Sequence, residues 1–369
     1  MTTRESAIVV GGGIIGCSIA YELTKRGFAV TLLDKGGLNE EASTAAAGML
    51  GAHVEIHQDG PFYELCKESQ RLYRPWTEEL FELTGISPQY TAEGIVRAAL
   101  SEEDEQELRG RTPWIGCSWL ETDEIRKLEP ALSPHVRGGL YFESDHQIHP
   151  LHLARSLQAV LQQSGCRIMP WTPALGIIRE NGRIRGVRSP QGPLYADQII
   201  VTAGAWGGEL LEGTGLKLPL FPVKGQCFAV RPASLPIRKT AFTQGCYIIP
   251  RQDGTLTIGA TQLEVGFDKS PTAAGIAAVY AKAEALLPAV KDARFLKTWA
   301  GLRPGTPDGL PYIGKVADAP GLIVATGHYR NGILLAPVTA ELIGRLASGE
   351  APATDLTPYS PERVHAAKA

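Results

Sequence analysis

Ala7-Ile-Val-Val-Gly-Gly-Gly-Ile-Ile-Gly16, followed by Val30-Thr-Leu-Leu-Asp34, reads as strand, glycine-rich turn, helix, strand and terminal acid. Each part has its own physical job. Gly11 allows the tight turn, Gly13 lets backbone approach a pyrophosphate, and Gly16 lets the helix pack closely on the strand. The helix N-terminus, from Ile14 and Ile15 onward, offers N–H groups and the positive end of a dipole to phosphates. Asp34 closes the second strand, where a carboxylate can accept hydrogen bonds from ribose hydroxyls. Glycines also mark ordinary turns, so the glycine spacing alone says little. Here strand, helix and acid agree on an adenine dinucleotide, and FAD and NAD both remain open. Lys35 hints at a ribose phosphate, against the plainer reading of a solvated lysine.

Composition narrows the field. The chain has 369 residues, 44% hydrophobic and 20% charged, which suits a soluble globular protein of one large or two smaller domains. The net charge of −3 provides no basic field for nucleic acid or an anionic membrane. Cys17, Cys66, Cys117, Cys166, Cys227 and Cys246 form no CxxC pair. That argues against zinc and a disulfide scaffold and suits a reducing, cytoplasmic setting. The apolar stretch at 7–20 is interrupted by glycines and is not expected to be a signal peptide, and no run has the length of a membrane span.

The pattern along the chain predicts an α/β protein. Helical spacing runs over 62–85 and 150–165, and Ser101 is placed to cap a further helix. Residues 89–100 read as a strand pair, 198–203 and 321–326 as buried strands, and 272–287 and 332–346 as helices. Residues 226–231, 247–250 and 255–261 read as an antiparallel sheet, and the Pro-rich stretch from Gly349 as a loosely held tail. Parallel-type strands near residues 10, 200 and 323, separated by antiparallel stretches, predict a discontinuous nucleotide domain with a second domain inserted in it. His146, His149 and His152 have the spacing HxxHxxH, but Pro150 sits among them without an acidic or cysteine cluster, so no metal is expected.

A second strand-turn-helix pattern lies at Gly321-Leu-Ile-Val-Ala-Thr-Gly-His-Tyr-Arg-Asn-Gly-Ile-Leu-Leu335. It could face a second electron-rich group, as a flavin requires at the ring edge that becomes negative on reduction. An ordinary strand-helix unit is the alternative.

Five segments together resemble the FAD-dependent D-amino-acid and sarcosine oxidases, and within them the glycine oxidases of the thiazole-biosynthesis type. They are the N-terminal fingerprint with Asp34, Ser43–Leu50, Val201–Trp206, Trp299–Gly314 and Gly327–Leu335. The resemblance implies a Rossmann-like FAD-binding domain (1–85, 146–220 and 305–369) and an α+β substrate domain on a mainly antiparallel sheet (86–145 and 221–304). It implies that Ile14 and Ile15 line the pyrophosphate, Asp34 and Lys35 the ribose, and that Ser43 and Thr44 reach phosphate. Ala47, Gly48 and Met49 would lie against the flavin, Ala174 at the adenine end, and His328, Tyr329, Arg330, Asn331, Gly332, Ile333 and Leu334 along the ring. No cysteine stands in 303–315, so FAD is expected to be non-covalent.

Arg303 is the expected substrate anchor, since a guanidinium offers a carboxylate two parallel donors in one plane. A surface ion pair is the plain alternative. By resemblance Tyr247 helps hold the carboxylate and Arg330 lies near the amine. Gln262 and Gly245 replace an expected methionine and histidine near the pocket mouth. The implied reaction is oxidative deamination of glycine and small amines, with dioxygen as electron acceptor and no general base. A homotetramer and a role in thiamine thiazole synthesis are implied as well. A dehydrogenase feeding a quinone or other carrier, a flavin-binding subunit that needs a partner, and a nicotinamide enzyme stay open on the sequence.

Overall fold

The computed structural model describes residues 4–115 and 117–363, apart from the side chains of Pro113 and Trp114. Strand β1 (Ser6–Val10), helix α1 (Ile14–Lys25) and strand β2 (Ala29–Leu33) form the opening unit. β1 pairs in parallel with β2 on one side and with Gln198–Val201 on the other. The sheet continues in parallel to Leu322–Thr326 and, beyond β2, to Arg167–Met169. Tyr312–Lys315 closes one edge as an antiparallel strand. Buried on both faces, these strands read as nearly continuous apolar runs. Ala7 and Val9 enter a core shared with α1 and the helices Pro150–Gln163 and Ala336–Ala347. Ile8 and Val10 point the other way, into a core with Ile177, Ile184 and Val187 of a three-stranded sheet.

The inserted segments build an eight-stranded sheet that begins Arg294–Gly305, Phe221–Arg231, Leu256–Gly259, Cys246–Pro250, Thr240–Thr243. It continues through Ile95–Ala99 and Gly138–Phe142 to Trp119–Glu121, and all its pairings are antiparallel except that of Thr240–Thr243 with Ile95–Ala99. Helix Ala273–Leu286, capped by the Thr272 hydroxyl accepting from the Gly275 N–H, packs on one face through Val279, Ala283 and Leu286. The other face carries Cys227, Phe242, Tyr247 and Ile249 and meets Ala47, Met49 and Val54 of the nucleotide side.

Three expectations need correction. Residues 89–100 are not a strand pair: only Ile95–Ala99 is a strand, because Gln89 takes a positive φ of 54° that breaks extended pairing. The helix expected from Gly332 begins at Ala336, after a 3₁₀ turn at Tyr329–Asn331. Pro337 lacks an N–H and is tolerated only in a first turn, which fixes that start. The stretch after Gly349 is docked as far as residue 363. Tyr359 is fully buried, and the Arg363 guanidinium bonds Asp308 and the carbonyls of Leu310 and Pro311.

A Cβ on Gly16 would overlap the Gly11 carbonyl oxygen. Gly16→Ala must therefore push α1 off the strand end. Overpacking of this kind costs about 1–3 kcal/mol or more. The variant should melt several degrees lower and purify with less than stoichiometric flavin, as calorimetry and the ratio of flavin to protein absorbance will show.

Candidate active site

A cavity of about 710 Å³ runs between the two sheets. That volume is in the range of small-ligand and cofactor sites. Gly11, Gly13, Ile14, Ile15, Asp34, Lys35 and Ser43 line its nucleotide end, and Ala174 lies on the same wall. The Ser43 hydroxyl accepts from the Ile14 N–H at 2.8 Å, so a hydroxyl stands at the N-terminus of α1. Asp34 accepts from the N–H groups of Gly12 (2.6 Å) and Gly36 (2.8 Å) and thereby also holds the glycine turn. Lys35 is exposed, as a solvated lysine would be. Its ammonium lies over the Trp206 ring, 3.2 Å from the centroid, and burial holds its pKa below the usual lysine value.

Ala47, Gly48 and Met49 line the middle of the cavity. Their strand, β3 (Met49–Leu50), follows the short helix α2 (Ala42–Ala45). Two residues given no role in the sequence reading fix this stretch. The buried Arg251 guanidinium donates to the Ala47 carbonyl, to Gln147 Oε1 (3.1 Å) and to the Ile148 carbonyl (3.2 Å). Trp299 Nε1 donates to the Ala45 carbonyl at 3.1 Å. Gly48 has φ +83°, and a Cβ there would overlap the Ile148 carbonyl oxygen. The only sequence signal for Arg251 is a cation within an apolar strand end, which does not say what it would reach.

His328, Tyr329, Arg330, Asn331, Gly332 and Ile333 line the opposite wall. Tyr73 donates its hydroxyl to the Ile333 carbonyl and Ser69 donates to the Leu334 carbonyl, anchoring the turn to helix α4 (Pro61–Thr84). His328 is buried and its Nε2 lies 3.1 Å from Thr339 Oγ1. Burial depresses its pKa to about 3, so the ring is neutral.

Arg303, Tyr247 and Cys227 line the substrate-sheet end. Strand register explains how they meet. Tyr247 pairs with Gly259, which pairs with Cys227, so all three share one face. With no side chain on Gly259, the Tyr247 hydroxyl and Cys227 Sγ approach to 3.3 Å across the middle strand. A Cβ on Gly259 would overlap the tyrosine hydroxyl, and one on Gly225 would overlap the Arg303 guanidinium. The guanidinium therefore lies flat over Gly225, with Nη1 donating to the Thr261 carbonyl at 3.1 Å. Burial holds the Tyr247 pKa well above its ordinary value, which keeps the hydroxyl protonated. Arg330 is engaged by Glu55, with Nη2 2.9 Å from Oε1 and 2.7 Å from Oε2. Glu55 also lines the cavity.

Four expected site residues do not line the cavity. Gly16 packs on Gly11, the Thr44 hydroxyl donates to the Asn39 carbonyl, Leu334 is a core residue, and Gln262 is exposed. Gly245 does not line it either: with φ +75° it turns the hairpin between Thr243 and Cys246. Of the three histidines, His149 and His152 meet edge to face and His146 stands against Tyr90. Among the described residues no cluster of three potential ligands could hold a metal.

Fold and cavity together define a dinucleotide-dependent enzyme. The profile of the FAD dependent oxidoreductase family, DAO, matches residues 6–346, and the chain belongs to that family. It is 36% identical over 367 residues to the glycine oxidase of Bacillus licheniformis, covering 99% of each chain. It is 37% identical over 353 residues to the bifunctional protein ThiO/ThiG of a Nostoc species, covering 93% of this chain and 52% of that protein. The crystal structure of glycine oxidase from Geobacillus kaustophilus superposes with a TM-score of 0.95 at 36% identity, over 98% of this chain and 99% of that one. The cofactor is FAD, and the residues fit it: glycine turn, helix N-terminus and carboxylate at one end of the cavity, apolar and small residues at its middle.

Burial pushes His149 down to about 4, with the Arg251 cation adding to the effect. Both His149 and His328 have folded pKa values below the ordinary 6.5, so the unfolded chain takes up more protons as the pH falls through that value. Their contribution to stability is complete above about pH 6.5 and declines below it, by about 1.4 kcal/mol per pH unit for each group. Melting temperatures of the holoenzyme should fall steadily from pH 6.5 to 5; a flat profile there would contradict burial of the neutral rings.

Proposed function

We propose that this protein catalyses oxidative deamination of glycine and other small primary or secondary amines, such as sarcosine and small D-amino acids. From glycine the products are the imine, which water hydrolyses to glyoxylate and ammonia, and hydrogen peroxide; a secondary amine such as sarcosine would release a primary amine in place of ammonia. The observation that carries this reading is the Arg303 guanidinium, seated over Gly225 beside the protonated Tyr247 hydroxyl at the end of the cofactor cavity. In this reading the two offer their donors to one carboxylate. The relatives named glycine oxidase support the choice of amino acid.

In this reading Arg303 and Tyr247 fix the carboxylate so that the α-carbon faces the wall formed by His328–Ile333. FAD, held by Gly11, Gly13 and Asp34 at one end and by Ala47–Met49 and His328–Ile333 at the other, would supply the acceptor for the hydride equivalent from that carbon and a route for its electrons to dioxygen. The amine must react unprotonated, since its lone pair drives hydride departure. No residue is assigned as general base: Tyr247 is held protonated by burial and the Glu55 carboxylate is committed to Arg330. Positioning then provides most of the rate. FAD would be non-covalent, because 303–315 holds no cysteine.

Residues 1–85, 146–220 and 305–369 would form the FAD-binding domain, and 86–145 and 221–304 the substrate domain. A homotetramer, a cytoplasmic location and supply of the imine for thiamine thiazole synthesis are part of the proposal and rest on the family resemblance. No described helix is long and apolar enough to cross a membrane.

Arg303→Ala should raise the KM for glycine about 30- to 1,000-fold, from loss of about 2–4 kcal/mol of charge-assisted bonding. Steady-state peroxide release measures it, and an unchanged KM would sink the assignment. Gly225→Ala, whose methyl would displace that guanidinium, should move KM in the same direction by a smaller factor.

A further inference from the structure

The Glu55–Arg330 pair has no part in the clamp just described, yet both side chains line the same cavity. Glu55 is 9% exposed and Arg330 30% exposed at the side chain. The pair is held rather than fortuitous. Glu55 ends helix α3 (Ala52–Glu55), whose first N–H groups, at His53 and Val54, donate to the buried Asp145 carboxylate. His53 Nδ1 lies 2.7 Å from Asp145 Oδ1, and Gln70 Nε2 donates to the same oxygen at 2.9 Å. Arg111 Nη2 donates to the carbonyls of His53 and Ile56, one on each side of Glu55. Tyr247 lies within the electrostatic reach of both Arg303 and Arg330. Two guanidinium groups therefore line the cavity with the tyrosine, and of the two only Arg330 has a carboxylate partner among the described residues.

The geometry points to Glu55 as a specificity-determining residue that occupies Arg330 and leaves Arg303 as the single cation for substrate, so that the site takes amines with one carboxylate and rejects those with two. This rests on the proposed oxidation of small amino acids. A second carboxylate on the substrate would have to displace Glu55 from Arg330 and then share the cavity with it, and like charges in a partly desolvated site repel strongly. Rejection by an unpaired like charge is a recurrent route to selectivity.

The test uses two ligands that cannot be oxidised, acetate and malonate, titrated into the FAD-loaded protein by calorimetry. Wild type is first assayed for peroxide release with glycine, which judges the proposed reaction separately. Glu55→Gln should improve malonate affinity relative to acetate at least tenfold. The double variant Glu55→Gln, Arg330→Gln should return the ratio to near wild type, because the freed guanidinium is then absent. An unchanged ratio in E55Q, or a gain that survives in the double variant, overturns the assignment. If E55Q does not retain flavin, Arg330→Gln decides: the uncompensated Glu55 should then weaken malonate relative to acetate at least tenfold, and an unchanged ratio overturns the assignment.

Discussion

The contact on which the rest of the molecule depends is between two backbones, that of Gly16 in α1 and the Gly11 carbonyl at the end of β1. It sets how closely the first helix can approach the sheet, and thus where its N-terminus points. Asp34 ties the same turn from the far side through Gly12, and Ser43 reaches the first helical N–H. The cofactor end of the cavity is therefore assembled from three chain segments converging on one glycine turn. Everything further along the cavity is measured from that end.

The substrate end is built on a related principle, applied to a sheet. Gly225, Gly259 and Gly301 lie on the cavity side of three adjacent strands, and a Cβ on each would meet Arg303, Tyr247 or Ala45. Their missing side chains form a floor on which large polar groups lie sideways, instead of standing up from the sheet as strand side chains usually do. A guanidinium and a phenol can then present donors along the sheet surface. The rigidity of the site comes from strand pairing, which loops could not supply as well.

The opening unit was legible because its information is local: turn, helix start and acid lie within one βαβ unit, and physical meaning attaches to each position. The parallel strands near 200 and 323 were legible from apolar runs of strand length. Arg303 could be suspected, since a guanidinium suits a carboxylate and one between Gly301 and Pro304 could be held rigidly. Its glycine seat could not, because Gly225 is remote in sequence and only register, which sets it opposite Gly301, brings it diagonal to Arg303. Glu55, Arg251 and Asp145 were missed for a similar reason: each acts through partners from distant segments, and an acid in a short helix looks like any solvated acid. Gln262 and Gly245 were read by position along the chain, and neither the exposure of the first nor the hairpin turn at the second could be seen there.

The docked stretch that reaches Arg363 has a colloidal consequence. Tyr312–Lys315 is the outermost strand of the parallel sheet, and an outer strand carries a row of unpaired backbone groups open to a strand of another molecule. The returning chain covers it: Glu362 accepts from the Ala317 N–H, Pro361 sits against Gly314, and the Arg363 guanidinium lies 3.9 Å over the Tyr312 ring. A segment whose composition suggests a trailing end thus lies over an outer strand, and covering of that kind is how sheet edges are shielded from pairing with a neighbour.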